Sequence, residues 1–347
     1  MNRYHRHIIL PEIGPKGQEL LKSTNVLIIG CGGLGCPVLQ YLSAAGVGSL
    51  GIIDHDLVEE SNLQRQILFS TKDIGRPKVL AAMEKLNRYN PFITITPIQN
   101  KLDVSNALEI INQYQIIVDC SDNFKTRYLV NDACIIQDKP LVSGSIYKFE
   151  GQVTVFNYLK GPTYRCLYPE PPEQEFTSNC SETGVIGTIT GLTGTLMANE
   201  VIKIIIGIGK VLSGKLLTFD ILSSRFSTFD YKLIPENREI VELAEDYNMS
   251  CENGIKEITA DELKEKLSRN EPLQIIDVRE PFEFQERNIG GTLIPLKQLE
   301  KNLHKIEKDI PLVIVCRSGV RSMSAAQILL KNNFSNIYNL KGGLIEY

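Results

Sequence analysis

The run from Val26 to Asp54, VLIIGCGGLG through SLGIIDHD, constrains the fold more than any other stretch. Val26 to Ile29 is an apolar burst that reads as a buried parallel strand. It runs into Gly30, Gly32, Gly33 and Gly35, a G-x-G-x-x-G turn, and then into a helix over Pro37 to Ala45. Such a turn lets the backbone approach a phosphate, while the helix N-terminus offers unpaired N–H groups to the anion. A second strand, Leu50 to Ile53, ends in Asp54. That carboxylate lies about 20 residues beyond the turn, where a dinucleotide fold places the group that grips ribose hydroxyls. The pattern specifies a nucleotide, and on its own it favours NAD.

The following residues shift that balance. Arg65 lies in the polar cluster Ser61, Asn62, Leu63, Gln64, Arg65 and Gln66, and Lys78 opens a helix behind Pro77. A lysine at a helix start opposes the helix dipole unless an anion is present, so its position points to a phosphate. Phe92 to Pro97 reads as a strand, Ser105 to Gln113 as a helix and Gln115 to Cys120 as an apolar strand. This alternation predicts an α/β fold, a doubly wound, Rossmann-like and mostly parallel sheet. Ligands of such sheets gather beyond the carboxyl ends of the strands, which places Asp122 and Asn123 beside the turn. Asp122 also suits a helix N-cap ahead of Phe124. At the other end, Arg3 and Arg6 form either a solvated lead-in or an arm that carries arginine to a phosphate.

From Leu141 onward, LVSGSIYKFEGQVTVFN predicts an antiparallel extension. Tyr168 to Phe176, rich in proline and glutamate, reads as a long exposed loop. Cys180 follows it, ahead of an apolar helix over Leu192 to Ile206 whose N-terminus would favour a thiolate. The polar, acidic stretch 235–256 reads as a linker between a domain over 1–234 and a smaller α/β domain over 257–347. In that second domain the strand IPLVIVC delivers Cys316 to the loop Arg317, Ser318, Gly319, Val320 and Arg321, which turns straight into a helix. Successive N–H groups there form an anion nest, which lowers a thiol pKa and stabilises an anionic group carried on sulfur. Arg317 and Arg321 are expected to reinforce it. A phosphatase loop would need a longer ring before its arginine; this one suits a small sulfur-centred anion.

The net charge of −4 argues against a general nucleic-acid binder. No apolar run in the sequence reads as a membrane span of roughly 20 residues. The start MNRYHRH lacks the apolar core of a signal peptide, so the cytoplasm is the expected location. The eight cysteines are scattered without a C-x-x-C pair. Neither a disulfide framework nor a zinc site is therefore expected, and Cys31, Cys120 and Cys134 read as inert core thiols.

Taken together, RYHRHIIL, GCGGLG, DHDLVEESNLQRQ, GRPK, CSDN and TVF, with IIDVRE and CRSGVR, resemble the MoeB/ThiF/HesA family fused to a C-terminal rhodanese domain. This family is related to the ubiquitin-activating enzymes. The resemblance covers nearly the whole chain and replaces NAD by ATP on the glycine turn (Gly30, Gly32, Gly33, Gly35). It implies that Asp54 binds the ribose and that Ser61 to Gln64, Arg65, Lys78 and Asn123 line the nucleotide. It further implies that Asp122 holds Mg²⁺ and that Arg6 comes from the other subunit of a homodimer. The implied substrate is the C-terminal Gly-Gly carboxylate of a ubiquitin-like sulfur carrier, which becomes an acyl-adenylate. Cys316 would then deliver persulfide sulfur, obtained from a donor such as a cysteine desulfurase. Cys180 matches a loop cysteine that links covalently to the carrier in some relatives. The molybdopterin-synthase type is favoured; thiazole synthesis, tRNA thiolation and a conjugation-type activator using a Cys180 thioester are the alternatives. Many relatives hold zinc on two C-x-x-C pairs, whereas Thr163 and Cys166 stand at the first and IPENREI carries no cysteine, so zinc is expected to be absent.

Overall fold

The computed structural model describes residues 3–169, 184–245, 247, 255–269, 271–308 and 310–347. These fall into two units, the first ending at residue 247 and the second starting at residue 255. In the first unit the strands are β1 (Asn25–Ile29), β2 (Ser49–Ile53), β3 (Thr94–Ile98), β4 (Ile116–Asp119), β5 (Leu141–Tyr147), β6 (Glu150–Phe156), β7 (Lys215–Asp220) and β8 (Arg225–Asp230). Among the described residues they form one sheet in the order β3-β2-β1-β4-β5-β6-β7-β8.

Five strands are parallel. β1 lies between β2 and β4, with Val26 opposite both Leu50 and Ile116. Its apolar residues are buried on both faces because helices cover both. β5 is the hinge of the sheet: it runs parallel to β4 but antiparallel to β6, and the antiparallel order continues through β7 and β8.

The helix after the long loop spans Gly187–Ile206, one turn and more ahead of its expected start. By length and composition it could cross a membrane, which the sequence reading missed. Ile189, Met197 and Val201 are instead buried in the core that also holds Val142 and Val153, as befits the central helix of a packed sheet. Its early start is possible because Gly187 has no side chain; a Cβ there would lie 2.3 Å from the Gln64 carbonyl oxygen.

The expected linker needs correction. Residues 235–238 form a short 3₁₀ helix against the first unit, where Arg238 donates to Asn157 Oδ1 and to the Gly161 carbonyl. Buried Tyr247 donates to Asp132 Oδ2 at 2.8 Å, and Arg165 grips the same carboxylate through Nε and Nη2. Polar composition suggested a tether, but these polar groups are anchors. At the other end β9 (Ile255–Ile258) already belongs to the second sheet.

That sheet also contains β10 (Gln274–Asp277), β11 (Thr292–Leu293), β12 (Leu312–Val315) and β13 (Ile337–Leu340), in the order β11-β10-β12-β13-β9. Every pairing is parallel, which puts the ends of β10 and β12 side by side: Asp277 lies opposite Val315.

Candidate active site

The glycine turn closes the gap between β1 and its helix, Gly35–Ala45. Gly30 adopts φ 93°, and a Cβ at Gly35 would stand 2.1 Å from the Gly30 carbonyl oxygen. Those two glycines let the turn fold on itself. Gly32 differs, because the nearest atom to a Cβ there is Gln66 Nε2 at 3.8 Å. The backbone is thus open to a ligand at Gly32. Gly33 packs under Thr190 of the helix Gly187–Ile206.

Asp54 is tied to this turn. Its Oδ2 accepts the Cys31 N–H at 2.7 Å and its Oδ1 the Asp56 N–H at 2.9 Å. Lys78, at the start of the helix Lys78–Tyr89, is buried, and its Nζ lies 2.7 Å from Asp56 Oδ2. Burial opposes its charge, but Asp54 and Asp56 outweigh that penalty and hold its pKa above the usual lysine value. Asp56 was not singled out from the sequence; a second carboxylate two residues beyond the ribose candidate was the available signal. Among the described residues, Asp54, His55 and Asp56 are the one group of three side chains close enough to share a metal ion.

The polar cluster divides. Asn62 is buried, its Oδ1 accepting the Glu59 N–H at 3.2 Å, and Leu63 packs on the core. Both help to fix the segment. Ser61 bonds to Glu59, and Gln64 is exposed. Arg65 folds back to the Ser61 carbonyl at 3.0 Å, while its own carbonyl accepts the Thr190 hydroxyl. Gln66, 4% exposed, has an unpartnered Oε1, and its Nε2 is the side-chain atom nearest a Cβ at Gly32.

Beyond β4, Asp122 is exposed and takes no hydrogen bond from a described residue. The helix cap expected of it is supplied by Asn123, whose Oδ1 accepts the Thr126 N–H at 2.9 Å. Asn123 Oδ1 is therefore engaged by the backbone. Asp119 is buried beneath, and its pKa is raised by that burial against the pull of Arg127. Arg6 is exposed on the short helix His5–Ile8. Cys180 lies outside the described residues. Cys31, Cys120 and Cys134 are buried, and their thiol pKa values stand well above normal; for Cys31 the hydrogen bond with Cys36 is the larger cause and burial adds to it.

In the second unit, Cys316 follows β12 and is fully buried. Gly319, at φ 90°, turns the loop so that its N–H points to Cys316 Sγ at 3.2 Å. Arg317 and Ser318 are exposed, as is Val320. Arg321 does not serve the sulfur directly. Its guanidinium makes two 2.7 Å bonds to Glu283, a partner the sequence reading did not identify. Asp277 and Arg279 form a second, buried pair behind the loop.

Cys166 also has a defined setting. The segments around 163–166 and 234–237 meet, and its sulfur lies 3.3 Å from the Thr163 hydroxyl, 3.3 Å from the Ile234 N–H and 3.7 Å from Asn237 Nδ2. Burial works against its thiolate, but these hydrogen bonds prevail and lower its pKa.

The geometry defines an α/β domain whose glycine turn is open at Gly32 and a second α/β domain with a buried cysteine at a strand–helix loop. The ThiF family model matches residues 4–239, and the rhodanese-like domain model matches residues 259–347. The chain belongs to the ThiF family and carries a C-terminal rhodanese-like domain. The probable adenylyltransferase/sulfurtransferase MoeZ of Mycobacterium tuberculosis is 42% identical over 364 residues, which cover 99% of this chain and 92% of that protein. The sulfur carrier protein adenylyltransferase of Thermus thermophilus is 50% identical over 65% of this chain and 85% of its own length. Among solved structures, E. coli MccB with ATP aligns at TM-score 0.61 and 25% identity, covering 69% of this chain and 73% of that one. This chain is accordingly an enzyme of the adenylyltransferase and sulfurtransferase class.

The Glu283–Arg321 pair has a pH signature. Hydrogen bonds from Arg321 hold the Glu283 carboxyl down to about 2. A carboxyl depressed on folding stabilises the native state above its unfolded value, about 4.3, and that stabilisation is lost as pH falls toward the folded value. Thermal unfolding of the second domain, followed by calorimetry on the full chain, should shift to lower temperature between pH 4.5 and 2. Glu283→Gln should flatten that part of the profile and lower the melting temperature at pH 7.

Proposed function

We propose that the first domain uses ATP to adenylate the C-terminal Gly-Gly carboxylate of a small ubiquitin-like sulfur carrier, and that Cys316 supplies the sulfur for a thiocarboxylate. The observation that carries this reading is the cluster beyond the carboxyl ends of two inner parallel strands, β1 and β2: an open backbone at Gly32, Asp54 bonded into the turn, and a buried, charged Lys78. A carboxylate is a poor acyl donor until it gains a leaving group. Its oxygen attacks the α-phosphorus, the bond to the bridging oxygen breaks, and pyrophosphate departs. Lys78 and Arg65 supply positive charge where phosphate charge is redistributed, which is the main way proteins accelerate such transfers. Asp54 is suited to the ribose. Asp122, which takes no hydrogen bond from a described residue, is suited to hold Mg²⁺, which when bound would neutralise phosphate charge.

The terminal sulfur of a Cys316 persulfide then attacks the acyl carbon, AMP leaves, and an acyl disulfide remains. A thiol cleaves it, releasing the thiocarboxylate and staying in disulfide linkage with Cys316. Cys180 and a small thiol are both chemically competent for that step. We assign the carrier to the molybdopterin-synthase type, the donor to a cysteine desulfurase, and the reaction to the cytoplasm. Copurification of the Gly-Gly-ended carrier tests the pathway. The protein is further proposed to act as a homodimer in which Arg6 reaches the second copy's phosphates.

Lys78→Ala and Asp122→Ala should abolish pyrophosphate release from ATP and carrier, and release at the normal rate in both would sink the reading. Arg6→Ala, inactive alone, should regain part of its activity when mixed with Lys78→Ala. Cys316→Ala should leave pyrophosphate release intact and stop thiocarboxylate formation, as read by mass spectrometry of the carrier.

Zinc is proposed to be absent. Where a tetrahedral site would need four thiolates, Cys166 meets Thr163, the Ile234 backbone and Asn237. Elemental analysis of the purified protein should find less than about 0.1 zinc per chain, since a structural site binds stoichiometrically; one zinc per chain would overturn this.

A further inference from the structure

We propose that Ser322 is a positioning residue for the Cys316 sulfur, a hydroxyl that moves its hydrogen from the Gly319 carbonyl to the sulfur when the sulfur becomes charged. The inference rests on the reading of Cys316 as the sulfur-bearing residue. Ser322 is fully buried in the first turn of the helix Val320–Lys331. Its Oγ lies 3.0 Å from the Gly319 carbonyl oxygen and 3.3 Å from Cys316 Sγ. A hydroxyl has one hydrogen, so it serves one of these acceptors at a time.

The state of the sulfur decides which. A neutral thiol has its own hydrogen and is a weak acceptor, so the hydroxyl favours the carbonyl. A thiolate only accepts, and a hydrogen bond to a charged acceptor is the stronger one. Turning the hydroxyl does not orphan Gly319, because Asn339 Nδ2 also donates to that carbonyl, at 3.2 Å. The Gly319 N–H remains on the sulfur throughout, so loss of the proton to solvent takes Cys316 from one donor to two. The charged side chains around the loop are two carboxylate–guanidinium pairs, one further arginine and one further carboxylate. Asp277 is paired with Arg279 and Glu283 with Arg321, Arg317 is exposed, and Glu346 lies beside Gly342 on the last turn.

The thiolate matters on loading. Cys316–S⁻ attacks the outer sulfur of a donor R–S–SH, giving Cys316–S–SH and R–S⁻; one S–S bond forms as another breaks. Ser322 thus raises the fraction of Cys316 competent to react at neutral pH.

The test is the pH dependence of Cys316 alkylation by iodoacetamide in the full-length protein, read from the Cys316 peptide by mass spectrometry. Ser322→Ala should raise the midpoint by about one pH unit and slow alkylation at pH 7 about tenfold. Ser322→Thr and Ser322→Val are matched in shape, so any packing disturbance is shared. Thr should keep the wild-type midpoint and Val should show the raised one. Equal midpoints in Thr and Val, or an unchanged midpoint in Ala, overturn the proposal. Persulfide formation in Cys316→Ala would refute Cys316 as the sulfur carrier, whereas the alkylation midpoints judge Ser322 independently of sulfur transfer.

Discussion

The Asp54 carboxylate holds the first site together. One oxygen takes the Cys31 N–H inside the glycine turn, and the other takes the Asp56 N–H one step into the next loop. Through Asp56 the contact extends to Lys78, whose ammonium and backbone N–H both bond to that residue. The ends of β1 and β2 and the helix start at Lys78 are thereby fixed to one another by short polar contacts. A buried lysine would otherwise lose its charge to desolvation; with Asp54 and Asp56 beside it, it stays charged.

The second site uses the same elements differently. A parallel strand again ends at a tight turn with a positive-φ glycine before a helix, and here Gly319 aims its backbone N–H at the Cys316 sulfur. Here the centre is a buried sulfur instead of an open anion cradle. Its arginine at the helix start is neutralised by Glu283, so the local donors to Cys316 are a backbone N–H and a hydroxyl.

Much of this was legible in the chain. The glycine spacing, Asp54, Lys78 and the Cys316 loop lie within short windows, where turn geometry and strand–helix alternation dictate neighbours. The misses lie at longer range. Asp56 meets Lys78 across 22 residues and Glu283 meets Arg321 across 38. Such pairs depend on which strand ends lie side by side, and no local pattern reports that. Asn123 displaced Asp122 as the helix cap because capping turns on one backbone angle. Composition reads the polar, acidic stretch 235–256 as a linker because it does not reveal that Arg238 and Tyr247 have buried partners in Asn157 and Asp132.

By itself the sequence determined the α/β character of both parts, the glycine turn of the first and the cysteine loop of the second. Apolar periodicity and glycine spacing act over a few residues, so they can be read without coordinates. Only the tertiary structure decided which polar side chains remain available for chemistry. It committed Asn62, Asn123 and Arg321 to partners, left Asp122 and the backbone at Gly32 open, and placed Ser322 against the sulfur. A donor or acceptor satisfied within the protein is not offered to a ligand, and that satisfaction is settled by three-dimensional packing.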